Sequence, residues 1–98
     1  MKIYADELLT QELIEVLPLG IVPAGEVRQF IFWIENNSFS YLKNIKININ
    51  HDEIKIIESP NHLLANEVKK MIIEWNCTIE LKQGLNVPIE ITADEIVG

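Results

Sequence analysis

Leu85-Asn86-Val87-Pro88-Ile89-Glu90-Ile91-Thr92, residues 85–92, places an aliphatic side chain at every second position. A period of two puts all four aliphatic groups on one face of an extended strand and leaves Asn86, Pro88, Glu90 and Thr92 on the other. The same alternation recurs upstream. Ile45, Ile47 and Ile49 interleave with Lys46, Asn48 and Asn50, and Ile79 and Leu81 with Thr78, Glu80 and Lys82. Turn formers separate the runs: Pro18–Gly20, Pro23–Gly25, Asn36–Ser40, His51–Glu53, Ser59–Asn61 and Gln83-Gly84. Strands are expected near 13–17, 26–35, 43–50, 53–58, 67–75, 77–82 and 85–92. Short turns between them imply antiparallel neighbours, and the spacing is that of a sandwich or barrel.

A second pattern fixes the inside and outside of two strands. Ala24-Gly25-Glu26-Val27-Arg28-Gln29-Phe30-Ile31-Phe32 aligns with Ala65-Asn66-Glu67-Val68-Lys69-Lys70-Met71-Ile72-Ile73. Each copy opens on a residue that tolerates positive φ, Gly25 or Asn66, then runs through Glu, Val and a base into an apolar strand. Equivalent positions in a sandwich and convergence on a common strand-entry pattern both account for the repeat. In either case Phe30, Phe32, Ile34, Met71, Ile73 and Trp75 fall on the core side. The opposite face carries Val27, Gln29, Ile31 and Trp33 in one copy and Val68, Lys70, Ile72 and Glu74 in the other. The second of these ends wet, whereas the first stays apolar through Ile31 and Trp33.

The totals fit one domain. The chain has 98 residues, 48% of them hydrophobic, which is enough to bury a core. Its net charge is −7, and eight basic residues are scattered singly or as the pair Lys69-Lys70. Phosphate backbones are gripped by clustered Lys and Arg, so nucleic-acid binding is not expected. One cysteine, Cys77, excludes an intramolecular disulfide. The longest apolar run, Phe30–Ile34, is far short of the roughly 20 residues that span a bilayer, and Met1–Glu7 does not read as a secretion signal. No membrane association is expected. The triplets Asn36-Asn37-Ser38 and Asn76-Cys77-Thr78 are then chance matches to a glycosylation site.

Pro23-Ala24-Gly25-Glu26, an apolar strand, and Glu35-Asn36-Asn37-Ser38 resemble the B strand and B–C turn of immunoglobulin-like adhesion and structural modules. Leu63-Leu64-Ala65-Asn66-Glu67 is similar to the E-strand entry of those modules, where Gly usually replaces Asn66. The last third, Ile73-Glu74-Trp75 through Leu85–Ile91 and the ending Ala93-Asp94-Glu95-Ile96-Val97-Gly98, resembles the closing strands of small phage virion proteins. The resemblance covers roughly residues 18–92. It implies an all-β, immunoglobulin-like antiparallel β-sandwich of about seven to eight strands, residues 12–98, preceded by an N-terminal arm, residues 1–11. Leu8, Leu9, Leu13 and Val16 make an imperfect helical pattern, so residues 6–17 are either a helical turn or an extended arm leading into the first strand. Surface members of the family carry secretion signals or stand in tandem arrays. This chain shows neither, and the resemblance implies an internally made subunit, in a virion or otherwise in the cytoplasm.

Chemistry finds little support. His51-Asp52-Glu53 is the densest run of metal-ligand types, but neighbours in a turn point apart, and a solvated turn is expected. The acidic groups Asp6-Glu7, Glu12, Glu15 and Asp94-Glu95 suggest solvated faces rather than a carboxylate pair in a cleft. Cys77 has no adjacent base, and it is expected on the buried side of the 77–82 strand beside Ile79 and Leu81. Pro88 is expected on an edge strand, since proline cannot donate to a ladder. No catalytic residue, metal or cofactor is expected.

What remains is contact. Ile31 and Trp33, with Val27, form an apolar outer face. It is either a binding surface or is covered by residues 1–17, of this copy or a neighbouring one, through Leu8 and Leu9. The expected function is a non-enzymatic structural or interaction protein, a small head or tail decoration or adaptor subunit. Its partners would be other protein subunits, such as capsid or tail proteins, or further copies of itself. The alternative is a cytoplasmic β-sandwich that binds a peptide or small molecule. The first predicts flat contacts without a sizeable concavity; the second predicts a pocket lined by apolar groups with a few polar ones.

Overall fold

The computed structural model describes residues 1–96, and the closing Val97-Gly98 of the ending noted above lies outside the described residues. Nine strands occur among them: β1 Lys2–Tyr4, β2 Glu12–Leu13, β3 Val16–Gly20, β4 Val27–Glu35, β5 Tyr41–Ile49, β6 Ile54–Glu58, β7 His62–Leu63, β8 Val68–Asn76 and β9 Leu85–Ile96. They form a β-sandwich of two antiparallel sheets, one in the order β2-β1-β4-β8-β6 and the other β3-β9-β5-β7. Between the sheets lie Phe32, Ile34, Met71, Ile73 and Trp75 from one layer and Leu17, Leu42, Ile45, Val87 and Ile89 from the other, all buried. The period-two register therefore assigns the inner faces of β4, β5, β8 and β9 correctly. Phe30, Ile47, Ile49 and Ile91 are half-buried and pack against it.

The internal repeat is a true structural equivalence. β4 and β8 are neighbours, paired from Val27↔Asn76 to Glu35↔Val68. Adding 41 to a β4 position gives its counterpart in β8, and the pairing is unchanged when the two strands are exchanged. Ile31 and Ile72 are counterparts and also face each other, so a local two-fold axis passes between them. The symmetry extends into the flanking turns. Cys77 N–H donates to Glu26 O at 3.0 Å, and Asn36 N–H donates to Glu67 O at 2.9 Å. Glu26 N–H donates to Pro23 O at 3.1 Å, and Glu67 N–H donates to Leu64 O at 3.0 Å. Gly25 and Asn66 have φ of 89° and 61°, the left-handed conformation that the entry turns require.

Several expectations are corrected. The N-terminal arm, residues 1–11, begins as a strand of the domain itself: β1 pairs with β4 through Lys2↔Glu35, Ile3↔Ile34 and Tyr4↔Trp33 and places Ile3 in the core. Residues 5–11 form neither a helical turn nor an extended segment. The Asp6 carboxylate accepts from Thr10 N–H at 2.9 Å and Gln11 N–H at 2.8 Å, closing a compact β1–β2 connection. These hydrogen bonds, that of the Thr10 hydroxyl foremost, hold the Asp6 carboxyl below its usual range. The strand expected at 13–17 is two strands, β2 and β3, because the chain crosses from one sheet to the other at Ile14-Glu15.

Residues 77–82 are not a strand. The Cys77 backbone bonds to the Pro23–Glu26 turn, through Cys77 N–H to Glu26 O at 3.0 Å and Gly25 N–H to Cys77 O at 2.7 Å, and its Sγ lies 3.3 Å from Val22 O and 3.2 Å from Ile79 O; the chain turns there, and Ile79 is exposed instead of sharing a face with Cys77. Residues 62–63, between the strands expected at 53–58 and 67–75, pair with β5 as β7. Pro88 is in an interior strand, between β3 and β5. Ile89 N–H donates to Glu15 O at 3.0 Å on the β3 side, so position 88 faces the β5 side. There the β5 ladder ends at Ile49↔Ile89, and no amide is needed.

Candidate functional site

The outer face of the five-stranded sheet is built by cross-strand register. Directly opposed residues share a face, so Ile31 lies beside Ile72, Trp33 beside Lys70 on one side and Tyr4 on the other, and Gln29 beside Glu74. Ile31 is 45% exposed and Val27 56%, while Trp33 is half-buried. Tyr4 is buried, and its hydroxyl donates to Glu35 Oε1 at 3.3 Å. Burial, and then the nearby Glu35 carboxylate, push the Tyr4 phenol up from its ordinary value.

Polar groups rim this apolar strip. Lys55 Nζ lies 3.4 Å from Glu74 Oε1, and Gln29 Nε2 donates to Glu74 Oε2 at 3.3 Å. Ile57, beside the bulge between Ile56 and Glu58, is a further exposed aliphatic.

Three of the five residues expected at an interface are therefore on one face: Val27, Ile31 and Trp33, at alternate positions of β4. Leu8 and Leu9 are in the β1–β2 connection instead. Leu8 is 84% exposed, and Leu9 is half-buried with φ of 58°. The first four residues extend the sheet edgewise and do not lie across Ile31. Sequence reasoning left out Tyr4, because Lys2-Ile3-Tyr4 is too short a run to reveal its period. It left out the pairing of Ile31 with Ile72 because that depends on which strands are neighbours.

A second feature was not expected from the flat-contact reading. A cleft of about 800 Å³ opens where the chain leaves β2 for β3, between Ile3 and Leu13 of one sheet and Ile89 and Ile91 of the other. Glu12, Glu15 and Glu90 contribute carboxylates to it. Lys2 is its one basic side chain among the described residues, and that Nζ is 3.5 Å from Glu12 Oε1.

His51-Asp52-Glu53 is a turn. His51 Nδ1 accepts from Glu53 N–H at 3.2 Å. No group of three or more His, Cys, Asp or Glu side chains able to hold a metal ion occurs among the described residues. The Glu53 side chain instead tethers the end of β8. Its carboxylate accepts from the Thr78 hydroxyl, from Thr78 N–H at 3.1 Å and from Trp75 Nε1–H at 3.2 Å.

These bonds, that of the Thr78 hydroxyl first, hold the Glu53 carboxyl below its ordinary value of 4.5. A carboxyl depressed in the folded state adds stability that is complete above the unfolded value and lost as pH falls through the folded one. Glu53→Gln is therefore expected to flatten the loss of stability below about pH 4.5. Urea midpoints measured for both proteins from neutral to acid pH check this. Parallel curves would show that Glu53 is not a source of the acid sensitivity.

Among the described residues, no helix is long and apolar enough to cross a membrane. No family model, curated protein or solved structure in the comparisons matches the chain.

Proposed function

We propose that this domain is a non-enzymatic contact module, a small virion decoration or adaptor subunit that binds other protein subunits through the outer face of its five-stranded sheet. The observation that carries the reading is the apolar strip at the centre of that face. Ile31 and Trp33 sit on the central strand, β4, and Ile72 on its neighbour β8, where a sheet open to water normally carries polar groups. Exposed aliphatics beside an aromatic, rimmed by charges, are the composition of an interface core. The virion assignment and the immunoglobulin-like kinship rest on the sequence resemblance. The paired B- and E-like strands, entered by Gly25 and Asn66, are consistent with that kinship.

The test is assembly. Supplied in tagged form to cells that produce the particle, the wild-type chain should band with particles on a density gradient. Trp33→Glu should remain in the soluble fraction with an unchanged far-UV spectrum. Wild-type chain absent from the particles would overturn the virion assignment. Trp33→Glu that still bands with them would overturn the surface.

The cleft favours a second reading, a β-sandwich that binds a peptide. A concavity of this size is not what flat contact requires, and its lining sets Ile3, Leu13, Ile89 and Ile91 among the polar side chains of Lys2, Glu12, Glu15, Asn48, Asn50 and Glu90.

A further inference from the structure

We propose that the free edge of β9, residues 90–96, takes up one extended segment of a partner protein, in which apolar residues alternate with Lys or Arg, by strand addition beside the cleft. This rests on the peptide-binding reading and names the peptide's chemistry and its mode of capture.

The edge is open for a definite reason. β3 runs alongside β9 only from Leu85 to Pro88. Its last bond on that side is Ile89 N–H to Glu15 O, and there the chain has left for the other sheet. Backbone directions alternate along a strand, so Ile91, Ala93 and Glu95 aim their N–H and C=O groups towards the same side as Ile89. No strand pairs with them there among the described residues. The opposite edge of β9 is occupied by β5, down to Tyr41↔Ile96. An unpaired edge of this length is a template for another strand.

The cleft supplies what the edge lacks. Ile91 and Ala93 are half-buried on the inner face of β9 and pack against the core. The cleft continues that face across to Ile3 and Leu13. A strand laid along β9 would bond to its backbone and place alternate side chains against the aliphatic side chains of the cleft, Ile3, Leu13, Ile89 and Ile91, while the others point outward.

Charge selects the occupant. The carboxylates of Glu12, Glu15 and Glu90 line the cleft, and Lys2 is already paired with Glu12. A second copy of this chain is a poor guest. Its net charge is −7, and two β9 edges paired antiparallel would bring Glu90, Asp94 and Glu95 of each copy together. Lys or Arg between the apolar residues of the guest turns the same carboxylates into attraction and raises the association rate.

The experiment uses the isotope-labelled full chain and a short acetylated peptide in which Ile and Val alternate with Lys and Thr. Binding should be saturable, weaken with added salt, and slow amide exchange at Ile91, Ala93 and Glu95. A matched peptide with Glu for Lys should bind about tenfold or more weakly, as should the Lys peptide to Ala93→Pro, which removes a donor from the free edge and none from the β5 ladder. Two N-methylated isomers of the Lys peptide keep the test decisive should Ala93→Pro fold poorly. Methylation of the amides facing β9 should abolish binding, and methylation of the alternate set should not.

Equal binding of the two isomers, equal binding of the Glu peptide, or no saturable change at the three amides would each overturn the proposal. So would protection of those amides by self-association without peptide. Trp33→Glu should bind the Lys peptide as wild type does, so the edge and the outer face fail or stand separately.

Discussion

Trp75→Ala is expected to lower the stability of the fold by about 3–5 kcal/mol, a large part of the roughly 5–15 kcal/mol available to a small domain. Trp75 is fully buried between the sheets and is the largest of the side chains with no exposure. It lies on the inner face of β8, opposite Arg28 of β4 and Ile54 of β6. Truncation removes the transfer free energy of the indole and leaves a cavity that β-sheet walls can close only in part. It also removes the Nε1–H donor that Glu53 accepts at 3.2 Å. In urea, with a slope of about 1–3 kcal/mol/M, the midpoint should fall by about 2 M. Circular dichroism is the proper readout, because the one remaining tryptophan, Trp33, is on the outer face and does not report on the core. A midpoint within the error of wild type would mean that the inward register of β8 is wrong. Trp33 makes the contrast: it is half-buried on the outer face, and Trp33→Glu should change assembly far more than it changes the urea midpoint.

Much of this was legible in the sequence, and the residues show where legibility stops. β4, β5, β8 and β9 each carry at least nine residues, long enough for alternation to reveal a face. β1, β2 and β7 carry two or three. No period can be read from His62-Leu63 or Glu12-Leu13, and these strands exist because β5 and β1 offer them an edge. At 77–82 the alternation of Ile79 and Leu81 was real but misleading. The hydrogen bonds of Cys77 turn the chain first, and a local pattern cannot register a bond to Val22, 55 residues away.

The candidate sites divide in the same way. The exposed face of Ile31 and Trp33 follows from register within one strand, so the sequence shows it. The cleft joins Ile3, Leu13 and Ile89 from three separate strands, and the open edge depends on where β3 departs from β9. Both are properties of topology.

The repeat also exposes Asn36, the one buried polar side chain among the described residues. It is the counterpart of Cys77, offset by 41 residues, and the two do the same work at opposite ends of the β4–β8 pair. Cys77 directs its thiol to Val22 O, and Asn36 directs Nδ2–H to Leu63 O at 3.2 Å, where Val22 and Leu63 are themselves counterparts. The amide does more than the thiol. Nδ2 also donates to Ser40 O at 2.7 Å and Leu64 O at 3.0 Å, while Oδ1 accepts from Ser38 N–H at 3.1 Å and from the Ser38 hydroxyl at 2.7 Å. One side chain thus fixes the β4–β5 turn to β7.

Asn36→Ala should cost about 2–4 kcal/mol, because it strands carbonyls that water reaches poorly and frees the turn. Asn36→Asp separates the hydrogen bonding from the packing. It keeps the volume but replaces the NH2 donor with an acceptor facing three carbonyl oxygens. That site opposes ionisation and raises the folded-state pKa of the introduced carboxyl above its unfolded value. The neutral acid retains one donor, so the variant is most stable below the unfolded pKa and loses stability as pH rises through the folded one. Glu53 is present in both proteins, so its loss of the ionised form in acid lowers both alike and leaves the difference to the introduced carboxyl. Urea midpoints for the two proteins should therefore converge on acidification and diverge towards neutral pH. A constant offset across that range would show that the Asn36 amide does not face the carbonyls of Ser40, Leu63 and Leu64.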